Sequence, residues 1–316
     1  MDRRRPAPTF LARPGWALAW AQAFPDFTPA PLRCTLSDGS SVIVPLVRSR
    51  SRLLPWRTYS GMPWNGWTAV ITEESVCAPV AAARSVLHAL THGFCDRIAM
   101  AMWPLSDGYE PAAPLAETLQ THELSAIDVS QGADAAIAGM DGKVRRMAGQ
   151  AERRGVTCAP ERGTAALNVY YEMLCESAQR WGIGKPTIPK RLFEAVAHFG
   201  GDDMEIWIAR HDGQAVAGGV VLYGSDELFF WSAAMRTEFG TLRPSNALNV
   251  ALIRAAVARG VRWYNLGTSG GLPGVARFKD GLGAQRFPYA TVVAEKPAFR
   301  LYSRIRANLR RAAHKG

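Results

Sequence analysis

Between positions 204 and 266 the chain spells out an order of elements that few folds accommodate. Residues 204–210, 215–223 and 228–234 are apolar runs of strand length, separated only by His211-Asp-Gly-Gln214 and Gly224-Ser-Asp-Glu227. Asp-Gly supplies the positive φ that a tight hairpin needs, so the three runs predict an antiparallel meander. After a loop over 235–244, Ser245 is placed as the N-cap of a helix ending near Arg259, with Gly260 as its stop and 261–266 as the next strand. Three meander strands, a helix and a further strand predict a mixed α/β sheet.

Upstream, residues 143–154 read as a basic helix, 156–158 as a short strand and 165–181 as an amphipathic helix with Leu167, Tyr170, Tyr171 and Leu174 at helical spacing. A break at 182–189 precedes another helix, 190–198. The first half repeats this order faintly: a helix at 15–24, strands at 32–36 and 42–47, a helix at 79–93 and a strand at 96–103. Cys34-Thr-Leu-Ser-Asp-Gly-Ser-Ser-Val42 runs beside Ala209-Arg-His-Asp-Gly-Gln-Ala-Val216, each a strand, an Asp-Gly turn, two small or polar residues and Val. Internal duplication is the economical explanation. It places a first domain at 1–135 and a second at 140–296, with the boundary inside 131–140 and a basic amphipathic helix at 297–316.

A length of 316 residues suits two cores, and no apolar run approaches the ~18 residues of a membrane span. The basic start is followed by an apolar stretch broken by Pro14, Pro25 and Pro29, so a signal peptide is not expected and a cytoplasmic location is. Five cysteines, odd in number and without a C-x-x-C pair, argue against a disulfide framework and a zinc site. The histidines form no metal-binding spacing, and His88 and His92, one helical turn apart, read as ordinary surface or half-buried residues; no metal is expected. The net charge of +10 favours polyanionic partners such as nucleic acid, phosphorylated carriers or anionic lipid, or else serves solubility. In the tail, six basic residues from Arg300 to Lys315 accompany Leu301, Ile305 and Leu309 at four-residue spacing. That pattern suits a helix lying on an anionic membrane or along RNA, or one docked on the protein with a solvated face.

The richest chemistry lies in Trp263-Tyr-Asn-Leu-Gly-Thr-Ser-Gly-Gly271 and the following Gly274-Val-Ala-Arg-Phe-Lys-Asp-Gly-Leu-Gly283. A strand runs into a glycine-rich loop and then a short helix bearing Arg277, Phe278 and Lys279, which aims backbone N–H groups and two cations at one place and suits an anion. This segment resembles the C-terminal signature of the FemAB-like branch of the GNAT-fold acyltransferases. The similarity extends over about 143–289: the basic Lys143-Val-Arg-Arg146 and Ala151-Glu-Arg-Arg-Gly-Val156, the Arg180-Trp181-Gly182 break with Lys185-Pro186, the Asp212-Gly213 turn, the aromatic Phe229-Phe-Trp231, Pro244-Ser-Asn-Ala-Leu248, and Gly267 with Phe278-Lys279.

The resemblance implies two tandem GNAT-like domains and transfer of an acyl or aminoacyl group to an amine of an envelope or polysaccharide precursor, or of a small metabolite. The donor would be an acyl-CoA or aminoacyl-tRNA. Lys279 takes the position associated with activity in the tRNA-using relatives, where a point cation stabilises a phosphate or developing charge. Phe278 reads as an anchor of its helix or as a donor contact. Tyr264, Glu238 and Asp280 are candidate polar groups near the cleft. Arg277, Arg236, Arg243, Ser245, Asn246, Arg145 and Arg146 are candidates for the donor side, and Trp64, Asn65, Trp67, Trp181, Lys185 and Trp231 for the acceptor side.

One departure matters. Ordinary GNAT enzymes cradle the coenzyme A pyrophosphate in a glycine-rich loop, whereas Met235-Arg-Thr-Glu-Phe-Gly-Thr-Leu-Arg-Pro-Ser-Asn246 has a single glycine and a proline. No Ser-His-Asp or Cys-His set is visible, so direct attack by the amine is expected. The alternative is a non-catalytic GNAT scaffold that binds RNA or a phosphorylated carrier through its basic surface.

Overall fold

The computed structural model describes residues 7–50, 54–61, 67–69, 71–72, 95–105 and 118–313. The expected helix at 79–93 with His88 and His92, and the candidates Trp64 and Asn65, lie outside these residues. In chain order the elements begin with a 3-10 turn (Phe10–Ala12), α1 (Pro14–Ala23), β1 (Phe27–Pro29), β2 (Leu32–Thr35), β3 (Ser41–Val44), β4 (Val47–Ser49), β5 (Thr58–Ser60), β6 (Ile71–Thr72), β7 (Arg97–Ala101) and β8 (Thr118–Asp128). There follow α2 (Ala133–Ala138), α3 (Gly142–Arg153), β9 (Thr157–Glu161), α4 (Gly163–Arg180), α5 (Lys190–Gly200), β10 (Met204–His211), β11 (Gln214–Tyr223), β12 (Glu227–Met235), α6 (Pro244–Ala258), β13 (Trp263–Thr268), α7 (Pro273–Gly281), β14 (Gln285–Glu295) and α8 (Pro297–Ala313).

The chain forms two compact units, each assembled from separated stretches: Pro6–Ala23 with Glu123–Phe287, and, apart from the extreme N-terminus, Phe24–His122 with Pro288–Gly316. Strands β8 and β14 each contribute residues to both.

In the unit containing Glu123–Phe287, β9, β10, β11 and β12 pair antiparallel in succession. Strand β13 then joins β12 in parallel, and β8 closes on the far side of β13, antiparallel to it. The α6 crossover makes the parallel pairing possible, because antiparallel neighbours need only a turn but parallel ones need a long connection. Apolar residues of β11, β12 and β13, including Val221, Leu228 and Tyr264, pack with Leu252, Ile253 and Ala256 of α6 in one buried core. An aromatic cluster lies elsewhere in the same unit. Trp231 meets Trp16 of α1 edge to face at 5.3 Å and Phe193 of α5 at 4.7 Å, while Tyr170 of α4 meets Phe193 at 5.7 Å. Gly219 permits close packing of β11 on β12, since a Cβ there would fall 2.0 Å from the Phe230 ring.

The other unit repeats the pairing order. Strands β1, β4 and β5 are antiparallel neighbours, β7 joins β5 in parallel, and β14 closes antiparallel on β7. The expected single strand at 42–47 is broken between β3 and β4. The registers Leu32↔Val44 and Pro29↔Val47 make β1–β2 and β3–β4 the two arms of one bent hairpin whose tip joins β6 in a separate three-stranded sheet. Both Asp-Gly pairs compared in the sequence sit at hairpin tips, with Gly39 at φ 82° and Gly213 at φ 77°.

Two local expectations are corrected. Helix α6 starts at Pro244, and its N-cap position is held by Arg243 at φ 59° without a side-chain cap. Ser245 instead lies in the first turn and turns its Oγ to Met235 Sδ at 3.4 Å. In α8 the residues that dock are Phe299 and Tyr302, which pack on Trp56 at 5.3 and 5.6 Å, whereas Leu301 and Ile305 of the expected apolar stripe are exposed. Among the described residues no helix is long and apolar enough to cross a membrane.

Candidate active site

Strands β12 and β13 are hydrogen-bonded neighbours only over three rungs, Glu227↔Trp263, Leu228↔Tyr264 and Phe229↔Asn265. Beyond Phe229 and Asn265 they part, β12 staying with β11 as far as Met235 and β13 staying with β8 to Thr268. The cause is visible in the registers. Val221 faces Phe230 while Val220 faces Ser232, so Trp231 is an extra residue in β12; Asn265 faces Ala126 while Gly267 faces Ser125, so Leu266 is extra in β13. A bulge bends its strand and raises its twist. Two bulges immediately past the last shared rung open the parallel pair into a V at its carboxyl end. In the other unit the corresponding pair stays joined: beyond Ser60↔Ala99, Gly61 N–H donates to Ala99 O at 2.9 Å and Thr68 N–H to Ala101 O at 2.7 Å.

Polar side chains hold the β13 arm of the V. Asn265, fully buried, donates to Glu227 Oε2 at 2.7 Å and accepts the Gly267 N–H at 2.8 Å, satisfying a donor that the bulge takes out of the ladder. Gly267 has φ 69°, a left-handed conformation that glycine adopts without strain. Its carbonyl and that of Thr268 both accept from Lys279 Nζ, at 2.9 and 2.8 Å. Lys279 thus folds α7 back against the end of β13. It is 6% exposed, and burial lowers its pKa from 10.5 to about 8.

The roles expected for the neighbouring pair are therefore exchanged. Phe278, expected as an anchor or a donor contact, is 36% exposed, and the lysine faces inward. Arg277 is exposed, and Asp280 forms a two-pronged ion pair with Arg286 at 3.0 and 2.6 Å that holds its carboxyl below the usual range.

Tyr264 is not placed as a group that substrate can reach. It is 0% exposed, donates to Asn249 Oδ1 at 2.7 Å, and burial pushes its hydroxyl pKa far up. Asn249 Nδ2 in turn donates to Ser245 O at 2.8 Å, so this pair ties β13 to the first turn of α6. Glu238 is exposed.

The segment after β12 is a 3-10 turn, Thr237–Leu242. N–H groups in and just after it are bonded locally: Phe239 donates to Arg236 O, Arg243 to Gly240 O, and Asn246 and Ala247 to Arg243 O. Its carbonyl side is gripped by basic residues, Arg154 donating to Thr241 O at 3.0 Å and Arg180 to Met235 O at 3.1 Å and Thr237 Oγ1 at 2.6 Å. Arg236 pairs with Glu176 at 3.4 Å, Arg243 is exposed and Asn246 is buried. The glycine-poor sequence thus folds into a self-bonded turn rather than a nest of free donors. Sequence reading missed the parts played by Asn265, Glu227, Arg154 and Arg180. Only the Trp263-Tyr-Asn-Leu-Gly267 motif carried a trace of the first.

The remaining candidates are dispersed. Arg145 and Arg146 are exposed on α3, Arg145 donating to Ala138 O at 2.9 Å. Trp181 and Lys185 are exposed in the loop after α4, and Trp231 belongs to the aromatic cluster. Trp67, in the other unit, is buried edge to face against Tyr289 at 6.1 Å, which makes it packing rather than an open sugar or peptide platform.

Residues 140–280 match the family model of an acetyltransferase (GNAT) domain. A comparison with curated proteins finds no match. Among solved structures, FemX is similar with a TM-score of 0.70 at 11% identity, over 93% of this chain and 95% of that one. A conserved protein of unknown function from Bacteroides thetaiotaomicron VPI-5482 gives 0.55 at 11% identity, over 92% and 93%. A C-terminal domain assigned to a lysylphosphatidylglycerol synthetase of Agrobacterium fabrum gives 0.50 at 12% identity, over 88% of each. At such identities the likeness is one of fold, and it agrees with the mixed α/β, GNAT-like architecture.

Proposed function

Because residues 140–280 match the family model of an acetyltransferase (GNAT) domain, we propose that the protein is a FemAB-like N-acyltransferase. It moves an acyl or aminoacyl group from a phosphate-bearing donor to an amine of an envelope or polysaccharide precursor, or of a small metabolite. The observation that carries this reading is the V between β12 and β13, with the Lys279 ammonium at its β13 arm. The edge of β12 from Phe230 to Ala234, past its last rung with β13, offers backbone N–H and C=O groups to an amide-bearing donor arm, and Arg236, Arg243 and the dipole of α6 supply positive charge for its phosphate. Among the described residues the joined β5–β7 pair offers no second opening of this kind.

The amine nitrogen attacks the acyl carbon directly. A C–N bond forms, the bond from that carbon to the donor's sulfur or oxygen breaks, and the proton lost by the amine passes through water to the leaving group. Two of the three Lys279 N–H donors are committed to carbonyls, which fixes the cation in place. Its remaining N–H and its charge then offset the negative charge gathering on the acyl oxygen or on a donor phosphate. Trp181 and Lys185, exposed in the loop after α4, serve the acceptor. The self-bonded turn at 237–242 disfavours the usual cradle for the coenzyme A pyrophosphate, whatever acyl chain the coenzyme carries, so an acyl-CoA is held through Arg236, Arg243 and the start of α6 instead, with aminoacyl-tRNA as the other donor.

We place the protein in the cytoplasm, peripheral to the inner face of the membrane. Leu301 and Ile305, exposed beside Arg304 and Arg306 on α8, support contact with anionic lipid. The deciding experiment is calorimetric binding of acetyl-CoA, long-chain acyl-CoA and charged tRNA, followed by transfer to a panel of amines. Binding of one donor with turnover sustains the proposal. Binding without transfer to any amine leaves the scaffold reading, a non-catalytic module for RNA or a phosphorylated carrier.

A further inference from the structure

Five of the nine large hydrophobic residues exposed among the described residues lie on two loops of one unit: Trp181 (56% exposed) and Ile183 (51%) after α4, and Leu272 (60%), Val275 (37%) and Phe278 (36%) in and before α7. Each segment is tied to the carboxyl end of one strand of the parallel pair. Arg180, at the start of the first loop, donates to Met235 O and Thr237 Oγ1, which places that loop at the carboxyl end of β12. Lys279 holds α7 to the carbonyls at the carboxyl end of β13. Since β12 and β13 are parallel, these apolar side chains flank the mouth of the V.

None of the five is needed to complete the core, and an apolar set of this size at a site mouth marks an interaction surface. The charges beside it select the partner. Arg180, Lys185 and Arg277 accompany the apolar residues, while the nearby carboxylates of Asp280 and Glu176 are paired with Arg286 and Arg236. A tryptophan at the border, aliphatic side chains that can enter the acyl boundary and flanking cations are the composition of a surface for anionic phospholipid. We propose that the mouth of the β12–β13 opening docks on an anionic bilayer through the loops bearing Ile183, Leu272 and Val275. This contact is separate from α8 and presents the site to an acceptor held in the membrane. It rests on the reading of the V as the active site for the acceptor's identity, though not for the lipid contact itself.

The test is co-sedimentation of the full chain with vesicles of phosphatidylglycerol and phosphatidylcholine in equal parts, and with phosphatidylcholine alone. The wild type should bind the first and release in high salt. Ile183→Ser/Leu272→Ser/Val275→Ser should bind at least tenfold more weakly with α8 intact. Quenching of tryptophan fluorescence by brominated phosphatidylglycerol, present in the wild type and reduced in Trp181→Phe, reads the same contact if the triple variant fails to fold. Binding of the triple variant equal to wild type, equal binding to both vesicles, binding lost only on changing Leu301 and Ile305, or quenching unchanged in Trp181→Phe would overturn the proposal. Transfer to a water-soluble amine, assayed on the same proteins, should be the same in wild type and triple variant. Absence of transfer in both, with vesicle binding intact, refutes the enzymatic reading and not the lipid contact.

Discussion

Lys279→Met asks two questions of one side chain, and the structure lets them be separated. At neutral pH two effects on stability oppose each other. Methionine leaves the buried Gly267 carbonyl without its partner, a loss of about 1–3 kcal/mol, while the exposed Thr268 carbonyl can turn to water. It also removes a cation that burial disfavours: the gap between 10.5 and about 8 is worth about 3 kcal/mol. These nearly cancel, so the informative quantity is the pH dependence. The folded-state pKa lies below the unfolded one, so between about 8 and 10.5 the unfolded chain holds a proton that the folded chain has released. Stability therefore rises with pH across that window, is complete above the unfolded value, and is lost as pH falls towards 8.

The measurement is urea denaturation of wild type and Lys279→Met from pH 7 to 9.5, taking the difference so that shared titrations cancel. The wild type should gain about 2 kcal/mol relative to the variant between pH 8 and 9.5. Parallel curves would show an ordinary solvated ammonium and refute the buried latch. Single-turnover acyl transfer answers the second question. The variant should be slower by on the order of 10²-fold at pH 7, the scale of one preorganised electrostatic contact. The wild-type rate should also fall above pH 8 towards that of the variant as the ammonium discharges. Equal rates at pH 7 would make Lys279 a structural tie alone.

Acetyl-CoA should bind at least tenfold more weakly than to a GNAT enzyme with a glycine-rich loop, about 1.4 kcal/mol, because the N–H groups of Phe239, Arg243, Asn246 and Ala247 are already bonded locally; a calorimetric Kd in the low micromolar range with turnover would refute this. Phe299→Ala should cost about 3 kcal/mol in a thermal or urea melt, since it empties the packing on Trp56, whereas Leu301→Ser/Ile305→Ser should change stability by under ~0.5 kcal/mol. Asn265→Ala should lower unfolding free energy by about 3 kcal/mol, because one change removes a partner of the buried Glu227 carboxylate and strands the Gly267 N–H; a loss below about 1 kcal/mol would mean water replaces the amide.

What the sequence made legible, and what it hid, follows from how far each signal reaches along the chain. The meander, α6 and β13 were readable because hairpin turns, glycine stops and apolar runs are local. Strands β8 and β14 were not anticipated. Each takes its place by pairing with a strand far away in sequence, β8 on β13 and β14 on β7, and neither carries a turn signal that announces it. The V rests on two bulges, and a bulge is a mismatch of register between two strands that neither strand shows alone. Trp231 and Leu266 look like ordinary members of apolar runs until their partners are known.

The exchange of Phe278 and Lys279 shows the same limit at the scale of one residue. Hydrophobicity assigns the phenylalanine inward and the lysine outward. The bulge at Leu266 and the left-handed turn at Gly267 leave carbonyl oxygens directed off the ladder at the end of β13, and carbonyls there need a donor that can cross from α7. A lysine reaches them with two N–H groups at once. Phe278 is carried out to solvent as a consequence. The exposed ring and the buried cation are therefore one event, set by the backbone of β13, and a chain with an unbulged β13 would have no reason to bury Lys279 or to expose Phe278.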